Sequence, residues 1–210
     1  VKPGKEIHFF DRFWHEEAPD DLAEQYARHF PRPPGAITGE WTPRYMHDFW
    51  ALPLLRRCAP EARILVMLRD PLDRYRSGVA REGARAAELE QPVDIAVVGD
   101  AVYRSLYAKQ LERLFDSYPR EQVLVLQYER CGQDPLAEMR RTHEFLGLEP
   151  LREMPEDLER QVGAARRKLD VAAAARDELV ARLSEDALRT AELCPEIDLS
   201  LWQGVGDSSR

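Results

Sequence analysis

The chain is poor in cysteine. Its 210 residues hold three, Cys58, Cys131 and Cys194, odd in number and far apart. No Cys-x-x-Cys pair or Cys/His cluster occurs, and His15, His29, His47 and His143 lack the spacing of metal ligands, which argues against a bound zinc. Free thiols fit a reducing compartment, so a cytoplasmic location is expected. No apolar run approaches the ~20 residues that span a bilayer, and no leader-peptide pattern is visible. Positive charge is not in excess: 30 Lys and Arg face 38 Asp and Glu, for a net charge of −8. That balance argues against nucleic acid or an anionic membrane as partner. It leaves room for one small anion held by a local cluster of donors. Repeats and low-complexity linkers are absent. So are a Ser-His-Asp order, HExxH and GxGxxG, and neither GQDPLAE (132–138) nor GVGDSS (204–209) is a phosphate loop of the P-loop type.

What is present suits one domain over 1–210: 44% of residues are apolar, enough for a substantial core. KEIHFFDRFW (5–14) reads as a short strand. Glu6, His8 and Phe10 would then share one face and Ile7, Phe9 and Asp11 the other. Asp20 or Asp21 is a candidate cap for a helix with Leu22, Tyr26 and Phe30 at helical spacing. PRPPG (31–35) breaks the chain. A short strand is expected to end near Trp41, followed by a helix capped by Thr42 with Pro43 at its first position.

Ile64 to Leu68 is an unbroken apolar run, expected for a parallel strand covered on both sides. Asp70 and Pro71 then open a helix. The Gly- and Ala-rich segment 78–90 reads as a loop or broken helix. Tyr103, Leu106, Tyr107, Leu111, Leu114, Phe115 and Tyr118 recur at three- and four-residue steps, which predicts one amphipathic helix over 102–118. QVLVLQYE (122–129) is a second strand. A helix follows from DP (134–135) to a Gly147 stop, and another runs over 175–193. Strands alternating with helices imply an α/β fold, a parallel sheet flanked by helices, with ligands beyond the carboxyl ends of the strands.

Three places carry candidate chemistry. Glu6 beside His8 is either a partly exposed edge or, if dry, a proton acceptor with an imidazole to assist it. LRDPLDRYRSG (68–78) puts Arg69 at a strand end before a helix N-terminus, with Ser77 two turns on. This is an anion site or, equally, a local salt-bridge cluster of Arg69, Asp70 and Arg74. The basic run Arg166, Arg167 and Lys168 either closes over a phosphate or is a solvated loop. Trp41, Tyr45 and Trp50 line an acceptor pocket or belong to the core.

Four blocks in order, KEIHFFD, GEWTPRYM, ILVMLRDPLDRYRSG and the stretch from SLYAKQLERLF to EFLGL, resemble the sulfotransferases that use 3′-phosphoadenosine 5′-phosphosulfate. The branch is the one shared by heparan sulfate sulfotransferases and bacterial enzymes, and the closing DLSLW is similar to its bacterial members. The resemblance implies a P-loop-like α/β sulfotransferase fold and a metal-free transfer of a sulfuryl group to a hydroxyl of a small molecule, glycolipid or carbohydrate. It makes Glu6 the base, His8 its neighbour at the reaction centre, and Arg69 with Ser77 the clamp on the 3′-phosphate. Arg166, Arg167 and Lys168 fall where the family closes a loop over the nucleotide. Trp41 and Tyr45 fall on the acceptor side. Trp41 stands where the heparan sulfate enzymes carry a substrate-side Lys, which points away from a highly sulfated acceptor. The family's Gly/Lys/Thr loop for the 5′-phosphosulfate precedes the KExxFF block. A chain starting at Val1 without it is expected to bind the nucleotide weakly and to transfer little sulfate. The rival expectations are a non-catalytic nucleotide-binding domain and a magnesium-dependent kinase-like enzyme.

Overall fold

The structure, a computed structural model, describes residues 6–31, 33–88, 90, 92, 95–153 and 173–205. In chain order come α1 (Leu22–Ala27), α2 (Arg44–His47), α3 (Ala51–Cys58), β1 (Ile64–Leu68), α4 (Pro71–Glu88), α5 (Ile95–Tyr103) and α6 (Ala108–Ser117). Then follow β2 (Val123–Gln127), α7 (Tyr128–Gln133), α8 (Pro135–Leu146) and α9 (Ala173–Leu193). β1 and β2 are neighbours in a parallel sheet with helices around it, an α/β architecture. None of the described helices is long and apolar enough to cross a membrane. The chain divides into two compact units, one formed by residues up to Ile64 with Gln110–Val123, the other by Leu65–Lys109 with the chain from Leu124 onward.

In the first unit the opening segment is not a strand. Residues 6–8 are irregular, 9–10 form a turn, and Asp11–Trp14 is a 3₁₀ helix. The backbone shows why. His8 has φ 55°, a left-handed conformation that no extended strand tolerates. The neighbouring donors are taken by side chains instead of a strand: Ile7 N–H by Thr42 Oγ1 at 3.2 Å and Phe9 N–H by the Tyr45 hydroxyl at 2.7 Å. Phe9, Phe10 and Phe13 turn inward, and Phe10 is fully buried against Tyr26 and Tyr45. The strand expected to end near Trp41 is likewise absent from residues 36–42.

Asp21 holds the position before α1 without a side-chain cap bond, and Leu22 and Tyr26 are buried, but the helix ends at Ala27, short of Phe30. Thr42 does not cap α2. Pro43 holds that position and the Thr42 hydroxyl is spent on Glu40 and Ile7. The helix ends after one turn because Asp48 is extended, its carboxylate held by Arg44 Nε at 2.7 Å. α3 then starts afresh at Ala51.

In the second unit β1, Asp70 and Pro71 stand as the sequence predicts. Asp70 Oδ1 accepts from Leu72 N–H at 2.9 Å and Asp73 N–H at 3.1 Å, capping α4. β1 differs in burial. Val66 and Leu68 are buried while Leu65 is 43% and Met67 54% exposed, so within the described residues only one of its faces is covered. β2 is buried throughout. α4 runs unbroken to Glu88, where a loop or broken helix was expected. Alanines favour the helix, and Gly78 serves packing: a Cβ there would meet the Ala101 Cβ of α5 at 3.3 Å.

The expected helix 102–118 is broken between Tyr103 and Ala108. Asp186 of α9 accepts from Tyr107 N–H at 2.5 Å and Ala108 N–H at 3.2 Å, so a carboxylate from a distant helix caps α6. Tyr103 consequently faces solvent, whereas Tyr107 is buried and donates its hydroxyl to the Arg69 carbonyl at 3.0 Å. α8 begins on an Asp134 cap and ends at Gly147 with φ 70°.

The C-terminal segment docks on the β1–α4 corner. Gly204 N–H donates to Asp70 Oδ2 at 2.6 Å. Glu129 accepts from both Asp70 N–H (2.8 Å) and the Trp202 indole (3.0 Å). The Gln127 amide exchanges two bonds with the Asp198 backbone, at 2.9 and 3.0 Å.

Candidate active site

In the first unit, Glu6 and His8 meet, though not by sharing the face of a strand. The left-handed turn at His8 carries its ring back so that Nε2 lies 3.0 Å from Glu6 Oε2. The other ring nitrogen, Nδ1, lies 2.9 Å from Asp11 Oδ2. His8 is thus bridged between two carboxylates on opposite edges of its ring. The three groups do not converge on one point, and no described group of three or more His, Cys, Asp or Glu is arranged to hold a metal.

Two such contacts need two protons between them, from an imidazolium or from a neutral ring and one carboxylic acid. Of the two alternatives, the partly exposed one holds: the Glu6 side chain is 34% and the His8 side chain 44% exposed. Exposure leaves both reachable by an incoming hydroxyl. A non-glycine residue at positive φ stores strain of about 1–3 kcal/mol and persists where its surroundings over-determine it. Here the bonds on either side of His8 and the two carboxylates on its ring do so.

Asp11 was not singled out from the sequence. Its signal was the three-residue step from His8, since side chains at i and i+3 eclipse in a 3₁₀ turn, but a strand reading assigns Asp11 to the opposite face. Arg44 Nε stands 4.0 Å from Asp11 and 2.7 Å from Asp48, so α2 brings a cation to the same carboxylate. Trp41 is largely exposed. Tyr45 is buried with its hydroxyl bonded to Phe9 N–H, which puts it beneath the loop, supporting it.

In the second unit, Arg69 lies just beyond β1 and its guanidinium donates to the Asp73 carbonyl. The local salt-bridge cluster does not form around Asp70, because that carboxylate is consumed by backbone N–H groups of Leu72, Asp73 and Gly204. The same fact corrects the expectation that the first N–H groups of α4 await an anion: Leu72 and Asp73 are already capped.

What remains is a concentration of guanidinium groups. Burial pushes the Arg74 guanidinium below its usual value, and Arg104, Arg69 and Arg81 push the same way against the influence of Tyr107. Of these, Arg104 is paired with Asp100 at 2.7 Å. A dianionic group would relieve this repulsion. Ser77, exposed on α4, adds a hydroxyl eight residues after Arg69. A cavity of about 730 Å³ beside the start of α4 is lined by other residues, among them Asp73, Arg76, Arg176 and Asp177. Arg166, Arg167 and Lys168 lie outside the described residues.

Comparison with known proteins gives the family. The sequence profile described as the Sulfotransferase family matches residues 7–153. Heparan sulfate glucosamine 3-O-sulfotransferase 3B1 of Mus musculus is 31% identical over 156 residues, covering 69% of this chain and 39% of the relative. Heparan sulfate glucosamine 3-O-sulfotransferase 6 of Homo sapiens is 32% identical over 157 residues, covering 69% of this chain and 44% of the relative. The chain therefore spans about two fifths of the length of the curated relatives it matches. A solved sulfotransferase from Alicyclobacillus acidocaldarius superposes with a TM-score of 0.68 at 26% identity, over 96% of this chain and 87% of that one. With a family profile matched across most of its length and the same fold in a solved member, this chain belongs to the sulfotransferase family.

Proposed function

We propose that the chain transfers a sulfuryl group from 3′-phosphoadenosine 5′-phosphosulfate to a hydroxyl of a small molecule, glycolipid or carbohydrate, with Glu6 as the base. The observation that carries this reading is the His8 ring held between Glu6 and Asp11. With an imidazolium donating from Nδ1 to Asp11 and from Nε2 to Glu6, both contacts are made and Glu6 stays a carboxylate able to take a proton. Glu6 takes the proton of the acceptor hydroxyl as its oxygen bonds to sulfur and the bond from sulfur to the phosphate oxygen breaks. His8 Nε2, 3.0 Å from Glu6 Oε2, holds that carboxylate in place. Asp11 orients the ring and offsets the charge it carries.

The nucleotide, when bound, supplies the activated sulfate. Arg69, with Arg74 and the Ser77 hydroxyl, is the group suited to its 3′-phosphate, and Arg166, Arg167 and Lys168 are assigned to the nucleotide by family resemblance. On the acceptor side, Trp41 offers an exposed aromatic face. Its place in the family pattern, where heparan sulfate enzymes carry Lys, favours a neutral acceptor over a highly sulfated one. Tyr45 supports the acceptor side from below.

The test is transfer of radiolabelled sulfate from the nucleotide to a panel of phenol, monosaccharide and glycan acceptors by the full-length protein, beside calorimetry with adenosine 3′,5′-bisphosphate. Glu6→Gln is expected to lower turnover by about 10²–10⁴-fold while nucleotide affinity holds. Arg69→Ala is expected to weaken nucleotide binding about tenfold or more, ~1.4 kcal/mol. Full activity in Glu6→Gln removes the base assignment. Tight nucleotide binding without transfer to any acceptor leaves a nucleotide-binding domain.

A further inference from the structure

The segment that carries Glu6 and His8 has no strand to hold it, so its position is set by side chains. Two bonds anchor its backbone: Ile7 N–H to Thr42 Oγ1 and Phe9 N–H to the Tyr45 hydroxyl. Behind the Thr42 anchor stands one carboxylate. Glu40 Oε2 accepts from the Thr42 hydroxyl at 2.8 Å, which turns the lone pairs of that oxygen toward Ile7. Glu40 Oε1 accepts from the Tyr26 hydroxyl. The Tyr26 ring in turn packs against Phe9 and Phe10, with centroids 5.2 and 4.9 Å away. Burial raises the Tyr26 phenol above its usual value and Glu40 raises it further. Burial does the same to Tyr45, again with Glu40 adding to it. Both phenols therefore stay protonated at any ordinary pH, and Tyr26 remains a donor to Glu40. A carboxylate accepts at both oxygens, which a glutamine amide does not.

We infer that Glu40 is a positioning residue. Through Thr42 and Tyr26 its carboxylate fixes the left-handed turn at His8, and with it the Glu6–His8–Asp11 arrangement. The inference deepens the proposed function and rests on that reading for its catalytic meaning, but its structural content is independent of whether Glu6 is the base. The Glu40 carboxylate acts on the loop through uncharged hydroxyls. The charged groups that face the His8 ring directly or through one neighbour are Glu6, Asp11, Arg44 and Asp48. A change in the His8 titration on altering Glu40 therefore reports movement of the loop.

The experiment uses the full chain and NMR. The His8 ring nitrogens are assigned by their loss in His8→Gln and titrated with pH, and amide exchange is followed at Ile7, Phe9 and, as a reference, Val125 of β2. In Glu40→Gln and Thr42→Val, the Ile7 and Phe9 amides should exchange about tenfold faster, the loss of roughly one bond. The His8 ring signals should then change, and the Val125 amide should keep its rate. Thr42→Ser, which keeps the hydroxyl, should restore wild-type values. If Glu40→Gln does not fold, Tyr26→Phe keeps the ring packing, removes one donor to Glu40 and is expected to give the same pattern.

Unchanged His8 titration and loop exchange in the folded variants overturn the inference. So does an equal acceleration at Val125, which marks general destabilisation. Neither readout uses turnover, so an inactive enzyme or an active Glu6→Gln refutes the base assignment without touching this result.

Discussion

A methyl group at position 204 would test how firmly the C-terminal segment holds the corner that carries Arg69. Gly204 is not glycine for the sake of an unusual backbone. A Cβ there would lie 2.6 Å from Asp70 Oδ1, 2.8 Å from Leu72 Cβ and 2.9 Å from Asp70 Oδ2. Leu72 Cβ is fixed to the first turn of α4 and moves only with it. The Asp70 carboxylate can swing aside only by releasing Leu72, Asp73 and Gly204 N–H groups. Overpacking of this kind costs about 1–3 kcal/mol, and a lost bond to a charged acceptor about 1.5–3 kcal/mol. Partial relaxation keeps the sum for Gly204→Ala at about 3 kcal/mol. For a chain of this length each kcal/mol moves Tm by about 2–4 °C, so a fall of about 6–12 °C is expected in calorimetry. Gly99 of α5 and Gly132 of α7 are the controls: a Cβ at either meets nothing within 4 Å. Alanine there should be neutral or stabilise by up to about 1 kcal/mol, because glycine is costly inside a helix. A Gly204→Ala protein as stable as these controls would refute the claim that the segment is packed against Asp70.

Two further outcomes follow from buried groups. Burial raises the Asp186 carboxyl above its usual value, against its bonds to Ala108, Tyr107 and Thr190. The folded state then binds this proton more tightly than the unfolded state. The resulting stability is full below the ordinary carboxylate range and is lost as pH rises through the raised value. Asp186→Asn should flatten that fall, as urea melts of both proteins across the acid to neutral range would record, and parallel profiles would contradict it. Burial also pushes the Cys58 and Cys131 thiols up, and Cys194 is fully buried. None of the three is in a disulfide, so Ellman's reagent should titrate three thiols quickly in urea and only slowly in the native protein. Fast native labelling would show that these sites open readily.

Where the signals are local, the fold could be read directly. The apolar run Ile64–Leu68, the Asp70–Pro71 start, the Asp134–Pro135 start and the Gly147 stop each combine a pattern with a cap within three residues, and each stands in the structure. Where Arg69 and Ser77 lie was legible for the same reason: strand end and helix start fix their positions. The opening block misled because alternating aromatic and polar residues satisfy a strand period. The donors at Ile7 and Phe9 find partners 35 and 36 residues away, which no local pattern encodes. Glu6 and His8 were paired correctly on the wrong geometry, and Asp11 was lost with it.

The sequence by itself determined the α/β class, both strands and the caps of α4 and α8, because each depends on contacts a few residues apart. Only the tertiary structure decided that His8 turns left-handed between Glu6 and Asp11, that Asp186 splits one amphipathic stretch into α5 and α6, and that Gly204 closes on Asp70. In each of those cases a backbone or side-chain group is satisfied by a partner brought in from a distant part of the chain, or by a turn that such partners impose. The identity of that partner is set by packing, not by periodicity.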